Sequence, residues 1–178
     1  HIAKLKKGDR VLIHAATGGV GQSAIQIAKN AGAEIFGTAS PGKWEKLKSL
    51  GVKHIMNSRS LDFADEVMKA TNGEGVDVVL NCLADDFIPK SLSVLKEDGC
   101  FIEIGKSGIW TQKQVSEVKP DALYFIMDLL KIRSEQPELI NSILSDLSKQ
   151  LASQKLKPLS YATLPVTEAT DTETGDDL

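Results

Sequence analysis

The chain has 178 residues, 42% of them hydrophobic and 25% charged, with a formal net charge of −3; this is the make-up of one ordinary globular domain, able to bury about 70% of its unfolded surface. That charge provides no basic field for nucleic acid, and no apolar run approaches the roughly 20 residues that span a membrane. The two cysteines, Cys82 and Cys100, end separate apolar segments without metal-ligand spacing, which predicts buried thiols in a reducing, cytoplasmic compartment, with no disulfide and no metal.

The first ten residues, HIAKLKKGDR, contain no initiating methionine and no secretory leader, and they lead straight into a strand. The sequence is therefore expected to be a piece of a longer protein. Residues 11–13 (VLI) form a continuous apolar run, as a strand covered on both faces requires, and glycines follow at once. Residues 24–28 then supply an apolar helical face, and Ala31-Gly32-Ala33 closes that helix before Ile35 and Phe36 open a second strand. Strand, glycine turn, helix and strand within thirty residues have the shape of a dinucleotide-phosphate cradle.

In the fingerprint GxGxxG the turn reads Ala16-Thr17-Gly18-Gly19-Val20-Gly21, with alanine in the first place. Gly18 and Gly19 leave the approach to the helix N-terminus open for a pyrophosphate, and Gly21 lets the helix pack close to the strand. After the second strand an NAD site places a carboxylate on the ribose hydroxyls. Here the chain reads Gly37-Thr38-Ala39-Ser40-Pro41-Gly42-Lys43-Trp44, a hydroxyl and an ammonium where the acid belongs. Ser40 and Lys43 suit a ribose 2′-phosphate, so the reading favours NADP(H) over NAD. Arg59 joins this clamp if the third strand lies beside the second. His14, at the end of the first strand, reads as a core histidine.

Alternation continues with a strand over 54–56, a helix over 62–70, a strand over Val76–Asn81, a helix over 87–95 and a strand over 100–104. Turns at Asn72-Gly73-Glu74-Gly75 and Glu97-Asp98-Gly99 separate them. Residues 123–130 (LYFIMDLL) read as a sixth strand running into a helix. Residues 137–151 form an amphipathic helix with Leu139, Ile140, Ile143, Leu144, Leu147 and Leu151 on one face. The fold class is therefore α/β, a Rossmann-like doubly wound parallel sheet of about six strands with helices on both faces. Residues 1–167 are expected to form this domain. Residues 168–178, rich in acids and nearly devoid of apolar side chains, are expected to be a disordered tail.

The segments HAATGGVGQSAIQIAKNAGAEIFGTASPGKWEKL, NSRSLDFADEV, GEGVDVVLNCLA and FIEIGK resemble the enoyl reductase domain of modular polyketide synthases and animal-type fatty acid synthase. That family lies in the zinc-free, quinone-oxidoreductase-like branch of the medium-chain dehydrogenase/reductase superfamily. The resemblance covers residues 5–167, and SPGKW, SRSLDF, VLNCLA and EIGK in this order are more specific than any glycine motif. It implies reduction of an α,β-unsaturated thioester on an acyl carrier protein, NADPH giving hydride to the β-carbon and a proton reaching the α-carbon.

Lys43 of SPGKW and Asp62 of SLDF match positions proposed in that family as a catalytic or cofactor-orienting pair. The 2′-phosphate role derived above competes for the same lysine, and Asp62 reads equally as a helix N-terminal cap. Asn81, Cys82 and Leu83 after the fourth strand, and Gly105 and Lys106 after the fifth, are expected at the ribose and nicotinamide. The family's β-rich substrate-binding domain would precede residue 1, and the family continues past Ala169 into a helix and a strand where this chain reads TDTETGDDL. As partners the resemblance implies the rest of a multidomain synthase and, through an exposed strand edge, a homodimer. A free-standing quinone or enone reductase, a relative diverted to reductive ring closure and a non-catalytic nucleotide-binding module stay open. A short-chain dehydrogenase does not fit, because neither Tyr124 nor Tyr161 has a lysine four residues on.

Overall fold

The computed structural model describes residues 2–159, 163 and 165; the expected tail over 168–178 and the domain boundary at 167 lie outside the described residues. Six strands, β1 (Arg10–Ile13), β2 (Glu34–Ala39), β3 (His54–Asn57), β4 (Val76–Asn81), β5 (Leu95–Glu103) and β6 (Leu123–Ile126), form one sheet in the order β3-β2-β1-β4-β5-β6. Every neighbouring pair is parallel. The chain lays down β1, β2 and β3 outward in one direction, then returns to pair β4 with the open edge of β1 and builds the other half. This reversal opens a crevice at the carboxyl ends of β1 and β4, where ligands of open α/β sheets bind.

The two faces of the sheet carry two cores, which explains why the strands read as continuous apolar runs. Val11 and Ile13 of β1 pack with Ile25 and Ala28 of α1 (Gly19–Ala31) and with Leu47 of α2 (Trp44–Ser49). Leu12 faces the other way, toward Phe63 and Val67 of α3 (Phe63–Ala70), Ile88 and Leu92 of α4 (Phe87–Ser93) and Val115 of α5 (Gln112–Val118). Phe36 and Phe101, both fully buried, fill this second core from β2 and β5. The parallel, doubly wound sheet expected from the sequence is the observed one.

The largest departures from the expected boundaries surround β5. Helix α4 stops at Ser93, and Leu95 already belongs to β5, which ends at Glu103 rather than at residue 104. Val76 pairs with Leu95 while Val78 pairs with Cys100, so the turn at 96–99 is a bulge inside β5 instead of a connection before it. The sequence reading left α5 out altogether, although Thr111 and Gln114 form a full capping box at its start. The segment 123–130 divides as expected into β6 and α6 (Leu129–Glu135), with Asp128 capping the helix through the N–H groups of Leu130 and Lys131. Helix α7 (Pro137–Ala152) forms as predicted and packs against α6, yet none of its residues is buried.

Candidate cofactor site

The glycine turn joins β1 to α1 at the mouth of the crevice. Ala15 adopts a left-handed conformation (φ 45°), and Ala16 N donates to Thr38 O at 2.9 Å, pinning the turn to β2. A Cβ on Gly21 would lie 2.5 Å from Ala16 Cα and 2.7 Å from Ala15 O, so helix and turn pack at backbone distance there. The alanine in the first place of the fingerprint is accommodated from the opposite side: Ala16 Cβ lies 3.3 Å from where a Cβ of Gly37 would be. A glycine on β2 thus makes room for the methyl group that the turn carries.

Gly18 occupies the N-cap of α1 in an extended conformation, and this cap has no side-chain hydrogen bond and no acid in the first turn. The positive end of a thirteen-residue helix therefore faces the crevice without a carboxylate of its own. A Cβ on Gly19 would meet nothing closer than Leu159 Cδ1 at 3.7 Å, and Val20 is largely exposed. Gln22 Nε2 donates to Thr17 O at 2.7 Å and holds the loop's shape. Backbone donors, an open approach and a dipole of the right sign fit a dinucleotide phosphate.

Beneath the turn lies a buried polar chain. His14 Nδ1 is 3.1 Å from Thr38 Oγ1, and Nε2 is 2.8 Å from Ser91 Oγ on α4. Thr38 Oγ1 also accepts from Ala15 N at 3.3 Å, and the neutral imidazole joins the two hydroxyls by donating from one ring nitrogen and accepting at the other. Burial pushes the imidazole pKa down to about 3, so this histidine is neutral and structural, as its sequence position suggested.

Ser40, Lys43 and Arg59 gather at the neighbouring ends of β2 and β3. Ala39 is in register with Asn57, and Ser58 N donates to Ala39 O at 3.0 Å, so the third strand does lie beside the second. Ser40 precedes a 3₁₀ turn over Pro41–Lys43, and Trp44 Nε1 donates to Ala39 O at 3.1 Å. The only acid of β2, Glu34, sits at the opposite end of that strand, engaged with Arg10 and His54. Asp62 stands at the N-cap of α3 but is itself helical in conformation and caps nothing with its side chain; it accepts from Ser60 Oγ at 2.9 Å instead. The expected cap is therefore corrected: a residue already in the helical conformation cannot turn its carboxylate back onto its helix's first N–H groups.

Asn81, Cys82, Leu83, Gly105 and Lys106 gather at the ends of β4 and β5, across the crevice. Asn81 is fully buried, and its amide makes a reciprocal pair with the backbone of Leu83. The remaining N–H of Asn81 Nδ2 points to Glu103 Oε2 at 2.6 Å, and Glu103 Oε1 accepts from Gly105 N at 2.6 Å. Burial pushes the Glu103 carboxyl above its ordinary range, against the hydrogen bonds that hold it down. Burial, and then the nearby Glu103, push Cys82 up and Tyr124 to about 12. Tyr124 on β6 donates its hydroxyl to Trp110 O at 2.9 Å, a structural role. The sequence reading missed Glu103, although a lone acid within CFIEI is a signal in a strand buried on both faces.

Among the described residues no group of three or more His, Cys, Asp or Glu is arranged to hold a metal ion, and no helix is long and apolar enough to cross a membrane. Cys82 and Cys100 are both free thiols.

Residues 19–134 match the family model described as zinc-binding dehydrogenase. The chain is 41% identical to a segment of mycoketide-CoA synthase of Mycobacterium tuberculosis, over 93% of this chain and 4% of that protein. Among solved structures it resembles the CurK enoyl reductase, with a TM-score of 0.92 and 58% identity over 97% of this chain and 52% of that one. It also resembles the nucleotide-binding subdomain of the enoylreductase domain of PpsC from M. tuberculosis, with a TM-score of 0.80 and 40% identity over 89% of this chain and 90% of that one. The chain thus spans a small fraction of the curated synthase and about half of the CurK enoyl reductase. The fold agrees with these likenesses: the chain belongs to the zinc-binding dehydrogenase family and, within it, to the nucleotide-binding subdomains of polyketide synthase enoyl reductases, which implies a nicotinamide cofactor.

Proposed function

We propose that this chain is the NADP(H)-binding half of an enoyl reductase that saturates the α,β-double bond of an acyl thioester carried on an acyl carrier protein, in the cytoplasm. The observation that carries the reading is the side-chain-uncapped N-terminus of α1 at the sheet's reversal point, with a hydroxyl and two cations following β2 and β3 and the acid of β2, Glu34, at the opposite end of its strand. The turn from Ala16 and Thr17 through Gly18, Gly19 and Val20 receives the pyrophosphate, and Gly21 lets α1 pack close enough to present it. Ser40, Lys43 and Arg59 receive the 2′-phosphate, and Asn81, Cys82, Leu83, Gly105 and Lys106 border the nicotinamide ribose. The bound cofactor supplies the hydride.

Lys43 has two competing roles, phosphate clamp and, with Asp62, catalyst. The strand order favours the clamp: Lys43 follows β2, while the loops assigned to the nicotinamide follow β4 and β5. At about 4.8 Å between strands, β2 and β5 are roughly 14 Å apart across the sheet. A four-carbon side chain at one end does not serve the other. The missing half of the site belongs to a substrate-binding domain elsewhere in the synthase. A homodimer through the outer edge of β6, where Leu123, Phe125 and Ile126 are exposed, belongs to the same proposal.

Titration of this chain with NADPH and NADH, followed by nicotinamide fluorescence, tests the reading. A charge-assisted hydrogen bond contributes about 1.5–3 kcal/mol, so NADPH should bind roughly ten- to a hundredfold more tightly, and Lys43→Ala should remove most of that preference. Equal affinity for the two nucleotides would refute the phosphate clamp.

A further inference from the structure

We propose that Glu103 is a positioning residue whose buried carboxylate fastens the loop after β4 to the loop after β5 and so shapes the receptor for the nicotinamide half of the cofactor. This rests on the cofactor reading above.

A fully buried carboxylate is costly, and this one is offset only by donors supplied by the two loops. The orientation of Asn81 is not free. Its Oδ1 accepts from Leu83 N at 3.2 Å and its Nδ2 donates to Leu83 O at 2.7 Å, so the amide is locked with an N–H toward Glu103. On the other side the partner is the backbone N–H of Gly105. Glu103 therefore stands between donors from both loops, the Asn81 amide on one side and the backbone N–H groups of Ile104 and Gly105 on the other, and its two acceptor-only oxygens suit such a setting. A glutamine in its place would set its own NH₂ against one of those donors whichever way it turned.

Gly105 shows the same requirement from the opposite direction. Its φ lies outside the left-handed region, so conformation does not call for glycine there; a Cβ would stand 2.7 Å from Glu103 Oε1 and 3.2 Å from Ile109 Cγ2. The missing side chain is the space that the carboxylate occupies. The two loops meet again nearby, where a Cβ on Gly108 would lie 3.0 Å from Ala84 Cβ. One carboxylate thus fixes the spacing of Asn81 to Leu83 relative to Gly105 and Lys106, the residues assigned to the nicotinamide ribose.

The test separates the two halves of the ligand, using this chain with NADPH and with 2′,5′-ADP, which carries only the adenosine 2′-phosphate end. For Glu103→Gln the expected result is about a tenfold loss of NADPH affinity, the equivalent of one charge-assisted hydrogen bond, with 2′,5′-ADP affinity unchanged. Gly105→Ala should give the same selective loss, and the double variant should be no worse than the weaker single one, because both break one connection. If Glu103→Gln fails to fold and loses 2′,5′-ADP as well, Gly105→Ala decides by the same pair of ligands. Unchanged NADPH affinity, or equal loss of both ligands in both variants, overturns the proposal. An unsubstituted chain that binds neither ligand overturns the cofactor reading itself, and the positioning role with it.

Discussion

Replacing Gly21 by alanine sets two effects of known sign against each other. Within a helix the change removes glycine's conformational cost and would stabilise the fold by about 1 kcal/mol. The added methyl, however, lands 2.5 Å from Ala16 Cα and 2.7 Å from Ala16 C and Ala15 O. All three are backbone atoms of a turn that is hydrogen-bonded to β2, so none can swing aside as a side chain would. Carbon atoms rest at about 3.5–4.0 Å, so α1 must shift by roughly 1 Å or the turn must give way. Overpacking of this kind costs about 1–3 kcal/mol, and the rigid partners place the cost at the upper end. The expected net loss is about 2 kcal/mol, a fall in Tm of roughly 4–8 °C for a domain of this size. Gly19→Ala is the control, since its methyl would meet only Leu159 Cδ1 at 3.7 Å. It should leave the unfolding free energy from urea titration within about 0.5 kcal/mol of the unsubstituted chain while weakening NADPH binding. A Gly21→Ala chain as stable as its parent would refute the assigned backbone contact.

Three further outcomes follow from the structure. The folded-state pKa of His14, about 3 against 6.5 for the free side chain, means that the unfolded chain takes up a proton that the native state refuses. Stability should be full above pH 6.5 and decline toward pH 3 by up to about 1.4 kcal/mol per pH unit; His14→Gln should remove that component of the urea-midpoint profile, and an identical profile in the variant would contradict the assignment. Phe101→Ala, at a fully buried position in β5, should cost about 3–5 kcal/mol by urea denaturation, whereas a loss below 1 kcal/mol would mean that the second core can collapse around the vacancy. Burial pushes both thiols up, so iodoacetamide at pH 7.5 should label Cys82 and Cys100 more slowly in the folded chain than in urea; equally rapid labelling of Cys82 in mass spectra would show an open loop after β4.

The first half of the sheet was readable because its residues say one thing at every level. Val11, Leu12 and Ile13 are apolar for two cores, the glycines fall where backbone must approach backbone, and Pro41 marks the end of β2. Legibility declined where local and tertiary signals diverge. Glu97-Asp98-Gly99 is a turn by composition, and Asp98 does take a left-handed conformation. Only pairing with β4 makes it a bulge within a strand. The apolar stripe of α7 was correctly seen as helical, yet periodicity cannot tell which surface that stripe meets. Glu103 escaped notice because its purpose depends on Asn81, 22 residues away in sequence and adjacent in space.

The reversal that opens the crevice also governs how this sheet is assembled in time. Val11 pairs with Val78, and Arg10 N donates to Asp77 Oδ2 across a separation of 67 residues, whereas β1, β2 and β3 find one another through short crossovers. During synthesis at about 5–20 residues per second, β1 waits roughly 3–13 s with one edge bare before its central neighbour emerges. The strand pair on which the ligand crevice depends is thus among the longest-range closures in the chain, and the half-sheet that precedes it presents a template for unintended strand addition.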